Sequence, residues 1–470
     1  MGTVSRNRWQ ALGVISVIQL ILLLDATVVN VALPQIKHDL GLTDGSLTWI
    51  VNAYLITAGS LLLLGGRIGD AFGVLRTFQV GIAIFGVFSL VATIAPNATI
   101  LIIGRAGQGV GEALAAATGL AMISLLFPSG VERGKAFSVW AALGGLGSII
   151  GVLLSGVITE QFSWRWVFGI NVPIILILAV ATILLIPKFS NQISARLDLS
   201  NALILAVAVC ITVLGVIGSG IEQLLWLRII LFLLGVIGII VVLRRCKRYE
   251  DSIIPARLMA RSPRLAGYAI IAIQAGTSGA VFYLGVLLLQ DYIGMTPLQT
   301  GLAWLPFCFG FFPGIFLSQF VTKKWRSQIA TVVGLSISAF GFILFAIGIP
   351  AQNYWIGMMP AMLVTSVGFG CVAPVSQSLA TTGLSESDAG AGSGIATTIQ
   401  QLFQVGGVTL FVAVAISFSD RIGGTAATIG SIGFIVAFAL AAVTLIGGAV
   451  FIGVGRSVLA LDTENSEIKH

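Results

Sequence analysis

The chain has 470 residues, of which 25 are Lys or Arg and 18 are Asp or Glu, so that charged residues make up 9%. An ordinary soluble protein carries about 25%. Apolar residues reach 57% and the mean hydropathy is +1.04. A soluble globule with so few charges would expose apolar patches far larger than a few hundred Å². A cytosolic enzyme, a secreted domain and a disordered chain are therefore excluded, and a polytopic membrane protein remains. The net charge of +7 fits basic cytoplasmic loops better than nucleic-acid contact.

A membrane-spanning helix needs about 20 predominantly apolar residues. Taken in chain order, fourteen such runs occur, near 11–33, 47–67, 77–96, 99–123, 135–158, 165–186, 199–219, 225–243, 265–290, 300–321, 328–349, 354–376, 392–417 and 429–454. The first run is too long for a signal peptide and carries Asp25, so it is read as a retained span. With an even helix count both termini share one side. Of the 25 cations, only Lys37, Arg105, Arg165, Arg228 and Arg421 fall away from that side. The other twenty place both termini in the cytoplasm.

Polar stretches at 187–198 and 243–264 bracket the helical pair 199–243. The expected arrangement is all-α: a six-helix bundle at 1–187, a linker with two extra helices at 188–250, a second six-helix bundle at 251–457, and a tail at 458–470. Paired six-helix halves are a transporter architecture with a substrate site near the midplane. Gly134-Lys135 lacks the spacing of a phosphate-binding loop, which argues against ATP-driven pumping. No cofactor or metal site is expected. Cys210, Cys246, Cys308 and Cys371 show no CxxC spacing, and three of them lie in apolar runs. His38 and His470 are isolated.

The 57 glycines suit close helix packing in lipid. The glycine clusters at 107–111 and 390–394 are read the same way, since neither follows a strand in a βαβ unit. Asn97-Ala98-Thr99 is a formal glycosylation sequon, read as chance.

Three ionisable residues lie deep in the expected spans: Asp25, Arg105 and Glu112. A charge there is costly and is a functional candidate by default. Asp25 sits fourteen residues into the first span, roughly 21 Å at 1.5 Å per residue. Arg105 lies six residues into a span running the opposite way, at a similar depth, so the two can pair. Glu112 follows one heptad on, roughly 10 Å deeper. The pair is read either as structural or as a proton-coupling site, because low dielectric favours a neutral carboxyl group and an adjacent guanidinium favours the anion. Glu112 is open between proton carrier and anchor for a cationic substrate.

The chain resembles the major facilitator superfamily, specifically its fourteen-helix branch of drug:proton antiporters. Leu24-Asp25-Ala26-Thr27-Val28-Val29-Asn30-Val31-Ala32-Leu33-Pro34 is similar to that branch's helix-1 signature, whose Asp is linked to proton coupling. Gly104-Arg105-Ala106-Gly107-Gln108-Gly109-Val110-Gly111 resembles its helix-4 motif, whose Arg is associated with proton transfer. Ser163-Trp164-Arg165-Trp166-Val167-Phe168-Gly169-Ile170-Asn171-Val172-Pro173 resembles the start of its helix 6. Leu289-Gln290, Gly294, Pro297-Leu298, Gly301 and Leu305-Pro306 resemble its second-half signature. Gly66, Asp70, Gly73 and Arg76 match the superfamily's cytoplasmic latch, with Asp70 placed to accept from Arg76 or from a facing helix N-terminus. Ala71, Val74 and Leu75 depart from it, which implies a weaker latch. Gly147, Gly151 and Gly156 align with the antiporter helix-5 motif, but Val152 replaces its proline and Ser155 one of its glycines. Glu112 stands where the family usually has a small residue.

Candidate cavity residues are Gln19, Asn30, Asn52, Tyr54, Gln108 and Trp140 in the first half. In the second half they are Gln274, Phe282, Tyr283, Gln400, Gln401 and Gln404. These readings converge on a proton-coupled exporter of small amphipathic or cationic compounds, working as a monomer in the plasma membrane. Its partners are protons, the small-molecule substrate and the lipid bilayer, with no nucleic acid. A dedicated metabolite, lipid or siderophore exporter and a non-transporting sensor are the alternatives.

Overall fold

In a computed structural model the structure describes residues 2–127, 130–187, 199–217, 225–246, 262–382, 389–420 and 429–454. The expected tail at 458–470, Arg421 and most of the two polar stretches lie outside the described residues. Every element among the described residues is helical. Lipid offers no partner for backbone N–H and C=O groups, and a helix satisfies its own.

The first unit takes in α1 (Gly2–Leu40), α2 (Asp44–Phe72), α3 (Val74–Thr93), α4 (Ala98–Leu126) and α5 (Gly130–Gln161). It continues through α6 (Arg165–Gly169), α7 (Asn171–Leu185), α8 (Leu199–Ile217) and α9 (Leu225–Cys246). The short α6 and the longer α7 make one span, broken at Ile170 just ahead of Pro173, which has no N–H to give. In this unit α1 packs on α5, α2 on α4, and α3 on α4 and α7, while α8 pairs with α9 and lies against α2.

The second unit holds α10 (Ser262–Leu287), followed by a π-helical turn at Leu288–Tyr292 that ends at Gly294 with φ +82°. Next comes α11 (Pro297–Ala303), most of which groups with the first unit. The rest is α12 (Leu305–Lys324), α13 (Ser327–Gly348), α14 (Met359–Ala380), α15 (Ala389–Asp420) and α16 (Ser431–Val454). Here α10 packs on α15, α12 on α14, and α13 on α14 and α16. The pairing order of the first six-span bundle thus recurs in the second: first with fifth, second with fourth, third with fourth and sixth.

Eleven helical segments among the described residues are long and apolar enough to cross a membrane, and α5, α8 and α9 add shorter apolar stretches. The fold is that of two six-helix bundles with two additional helices, fourteen transmembrane helices in all. Side chains such as Leu176, Ile177, Val180, Ile183 and Leu184 of α7 are exposed, as expected where the surrounding solvent is hydrocarbon. The second unit is cored by an aromatic chain. Phe282 stacks on Trp304 at 5.0 Å, Phe307 meets both rings, and Phe369, Phe342, Phe345 and Phe438 continue the series.

Candidate functional site: a buried ion pair and its amide shell

The glycines of α4 decide how closely that helix approaches its neighbours. A Cβ at Gly109 would strike Tyr54 O and Thr57 Oγ1 of α2, and one at Gly111 would come within 2.6 Å of Phe85 N of α3. Close approach on both sides brings Arg105 and Gln108 among α1, α2 and α3.

Asp25 and Arg105 are both fully buried. Arg105 Nη1 lies 2.6 Å from Asp25 Oδ2 and donates to Gln108 Oε1 at 2.9 Å. Arg105 Nε donates to Ile50 O at 3.1 Å. The guanidinium lies 4.1 Å from the centre of the Tyr54 ring and 5.7 Å from that of Phe168, which adds cation–π attraction. Gln108 Nε2 donates to Asp25 Oδ1 at 3.0 Å and to Ser89 Oγ at 2.9 Å. Asn171 Nδ2, from the first residue of α7, donates to Asp25 Oδ1 at 2.6 Å. The Asp25 carboxylate thus accepts from three side chains, an arrangement that compensates a buried anion.

Tyr54 extends the network. Its hydroxyl donates to Leu22 O at 3.2 Å and also meets the side chain of Glu112. Glu112 is 5% exposed. Asp25, Arg105, Tyr54 and Glu112 are therefore linked through the Tyr54 ring and hydroxyl.

The other expected residues fall out as follows. Gln108 and Tyr54, expected to line a cavity, are buried members of the ion-pair network. Asn52 and Tyr283 are also buried. Gln19, Asn30, Trp140, Gln274, Phe282 and Gln404 are half-buried, and Gln400 is exposed. Gln274 Nε2 donates to Phe369 O at 3.0 Å, and Phe282 belongs to the aromatic chain. Cys210, Cys308 and Cys371 are free thiols, Cys371 fully buried. Asn97 of the sequon caps α4 by accepting from Ile100 N at 3.0 Å.

At the α2–α3 turn Gly73 has φ +98°, which a side chain would strain, and its N–H caps Gly69 O at 2.9 Å. Asp70 is paired with Arg67, at 3.9 Å, rather than with Arg76, which is exposed. Arg67 and Asp70 are three residues apart on one helix face, whereas Arg76 lies beyond the turn on α3. Gly147 and Gly151 face α1: a Cβ at Gly147 would overlap Leu20 O, and one at Gly151 would reach within 2.8 Å of Leu24 O. Ser155 Oγ donates to Val28 O of α1. Gly156 packs against Pro297 instead.

The sequence reading missed the roles of Asn171, Ser89 and Phe168. Asn171 and Phe168 lie within the helix-6 motif, which marks the segment but not the part that each plays. Ser89 carried no signal, because a serine in an apolar helix ordinarily bonds back to its own chain, as Ser89 Oγ also does to Phe85 O at 2.8 Å.

A buried carboxylate–guanidinium pair within a membrane helix bundle is a functional candidate by default. Comparison with known proteins defines the class. Residues 15–408 match the Major Facilitator Superfamily, and the chain belongs to that superfamily of membrane transport proteins. It is not an enzyme.

The chain is 32% identical over 467 residues to the lincomycin resistance protein of Streptomyces lincolnensis, covering 98% of this chain and 92% of that one. It is 34% identical over 415 residues to the puromycin resistance protein of Streptomyces alboniger, covering 87% and 82%. It is 32% identical over 400 residues to the cephamycin export protein of Amycolatopsis lactamdurans, covering 83% and 81%. Among solved structures, a peptide transporter in complex with sulfate aligns with a TM-score of 0.69 at 14% identity, over 96% of this chain and 95% of that one. A bacterial homologue of the lysosomal transporter Spinster aligns with 0.62 at 13% identity, over 96% of each.

Proposed function

We propose that the protein exports small amphipathic or cationic compounds in exchange for protons, by alternating access. The observation that carries this reading is the fully buried Asp25–Arg105 pair. Arg105 beside it favours the charged form of Asp25, and withdrawal of the guanidinium leaves a carboxyl group in low dielectric, which favours proton uptake. A conformational change that separates α1 from α4 is then also a proton step. The relatives named for lincomycin, puromycin and cephamycin support small-molecule export. Asp70 with its neighbouring arginines acts as the cytoplasmic latch.

The working division is the first bundle at 1–187, the extra pair within 188–250, the second bundle at 251–457 and the tail at 458–470. The protein works as a monomer in the plasma membrane, with both termini in the cytoplasm.

Everted vesicles test the reading. Asp25→Asn abolishes pH-gradient-driven efflux of a dye while the protein still inserts, and full retained efflux overturns proton coupling at Asp25. Glu112→Gln separates the two roles of the second acid. Loss of cationic but not neutral dyes makes Glu112 a substrate anchor, and equal loss of both makes it part of the proton path.

A dedicated exporter on the same scaffold is the second reading, favoured by relatives that are named for single antibiotics. A dye and antibiotic panel in a pump-deficient host decides between them by the breadth of protection.

A further inference from the structure

The helix-6 segment that carries the family resemblance reaches two acids of α1. At one end, Trp164 Nε1 donates to Asp39 Oδ2 at 2.8 Å, and Arg165 Nη1 lies 3.9 Å from the same oxygen. Past the break at Ile170, Asn171 Nδ2 donates to Asp25 Oδ1 at 2.6 Å. Asn171 is fully buried, and its Oδ1 accepts from no donor among the described residues. An idle buried acceptor is costly and calls for an explanation.

The chemistry of the carboxyl group supplies one. The ionised form only accepts hydrogen bonds, whereas the protonated form must also donate one. The donors now around Asp25, namely Arg105 Nη1, Gln108 Nε2 and Asn171 Nδ2, suit the anion. Gln108 cannot change sides, because its Oε1 is held by Arg105 and its Nε2 also binds Ser89 Oγ. Asn171 can. The oxygen and nitrogen of a primary amide are nearly isosteric. A half-turn of the side-chain amide therefore exchanges N–H···O⁻ for O–H···O with no movement of α7.

We propose that Asn171 is a positioning residue that serves both protonation states of Asp25, turning its amide over when the carboxylate takes a proton. The proposal rests on Asp25 being the proton carrier. The proton comes from hydronium on one side of the membrane, leaves as hydronium on the other, and no electrons change hands. The ionisable groups facing the site are Arg105 from α4 and Tyr54 from α2, with Glu112 beyond Tyr54. Among the described residues, α7 presents the Asn171 amide and α6 the Phe168 ring that lies against Arg105, and α5 meets α1 there through Gly147 and Gly151.

The test is pH-titrated infrared difference spectroscopy of the purified full chain, reading the C=O stretch of protonated carboxyl groups. Asp25→Asn assigns the band. In Asn171→Leu the protonated carboxyl loses its acceptor, so the band moves to higher frequency. The titration midpoint also rises, by up to about one pH unit, because the charge-assisted bond to the anion is the stronger of the two. Asn171→Gln, which keeps the amide, returns both values toward wild type. Asn171→Ala removes the amide without adding bulk and is read in the same way if the leucine variant does not accumulate. A band that keeps its frequency in Asn171→Leu and Asn171→Ala overturns the proposal, even if the midpoint moves, since the amide would then serve the anion alone. A spectrum unchanged by Asp25→Asn overturns the proton-carrier reading instead.

Discussion

Arg105 shows how one side chain meets most of the requirements of a charge in lipid, although its Nη2 has no acceptor among the described residues. Its Nε is bonded to a backbone carbonyl of α2, its Nη1 serves both Asp25 and Gln108, and its flat face lies on Tyr54. Removing one partner of such a pair leaves the other charge buried and uncompensated, which costs about 3–5 kcal/mol. Arg105→Ala and Asp25→Asn are therefore each expected to lower the melting temperature in detergent at neutral pH. The double variant Arg105→Ala with Asp25→Asn recovers part of the Arg105→Ala loss, because no orphaned carboxylate remains. If the two losses simply add, the pair carries no coupling energy and the argument for mutual compensation fails. Asp25 and Arg105 were legible in the sequence because charge is rare in an apolar run and stands out. Asn171 and Ser89 were not, because neutral polar residues are common in membrane helices and their role depends on which helix they meet.

At the scale of the helix, the α1–α5 contact is one place where this chain departs from its family's pattern. The helix-5 proline is absent, and α5 runs unbroken from Gly130 to Gln161. Gly147 and Gly151 let its backbone approach α1 on the turns beside Asp25, and Ser155 adds a hydrogen bond to Val28 O. Gly147→Ala would force the two helices apart or strain them, at a cost of about 1–3 kcal/mol. Ser155→Ala removes a single interhelical hydrogen bond, worth about 0.6 kcal/mol within a membrane. Melting in detergent should rank the two accordingly, and a larger loss from Ser155→Ala would show that the hydroxyl, not the glycine contact, holds the helices.

The helices as elements were legible because lipid demands about 20 apolar residues. Their ends were not. α1 runs from Gly2 to Leu40, well beyond the apolar run 11–33, since backbone hydrogen bonding continues into water where hydropathy no longer reports on it. The breaks at Ile170 and Trp304 were equally hidden, as each precedes a proline by two or three residues inside an otherwise continuous apolar run.

At the scale of the whole chain, two independent features point to the same topology. The helix-pairing order of the first bundle recurs in the second, so each bundle contributes an even number of spans. The pair α8 and α9 adds two more. Separately, twenty of the 25 Lys and Arg residues fall on one side of a fourteen-span chain, and basic loops face the cytoplasm. Both termini are accordingly expected inside. Alkaline phosphatase fused after His470 should be inactive, and a fluorescent protein at the same position should fluoresce. Phosphatase inserted between Ala95 and Asn97, in the short connection from α3 to α4, should be active. An active phosphatase at the C-terminal end, with the insertion between α3 and α4 also active, would mean an even number of spans between those points. One of the apolar runs from 199 onward would then not cross the membrane. Reversed activity at both positions would instead leave the count intact and invert the insertion, placing the Arg67–Asp70 pair on the outer face.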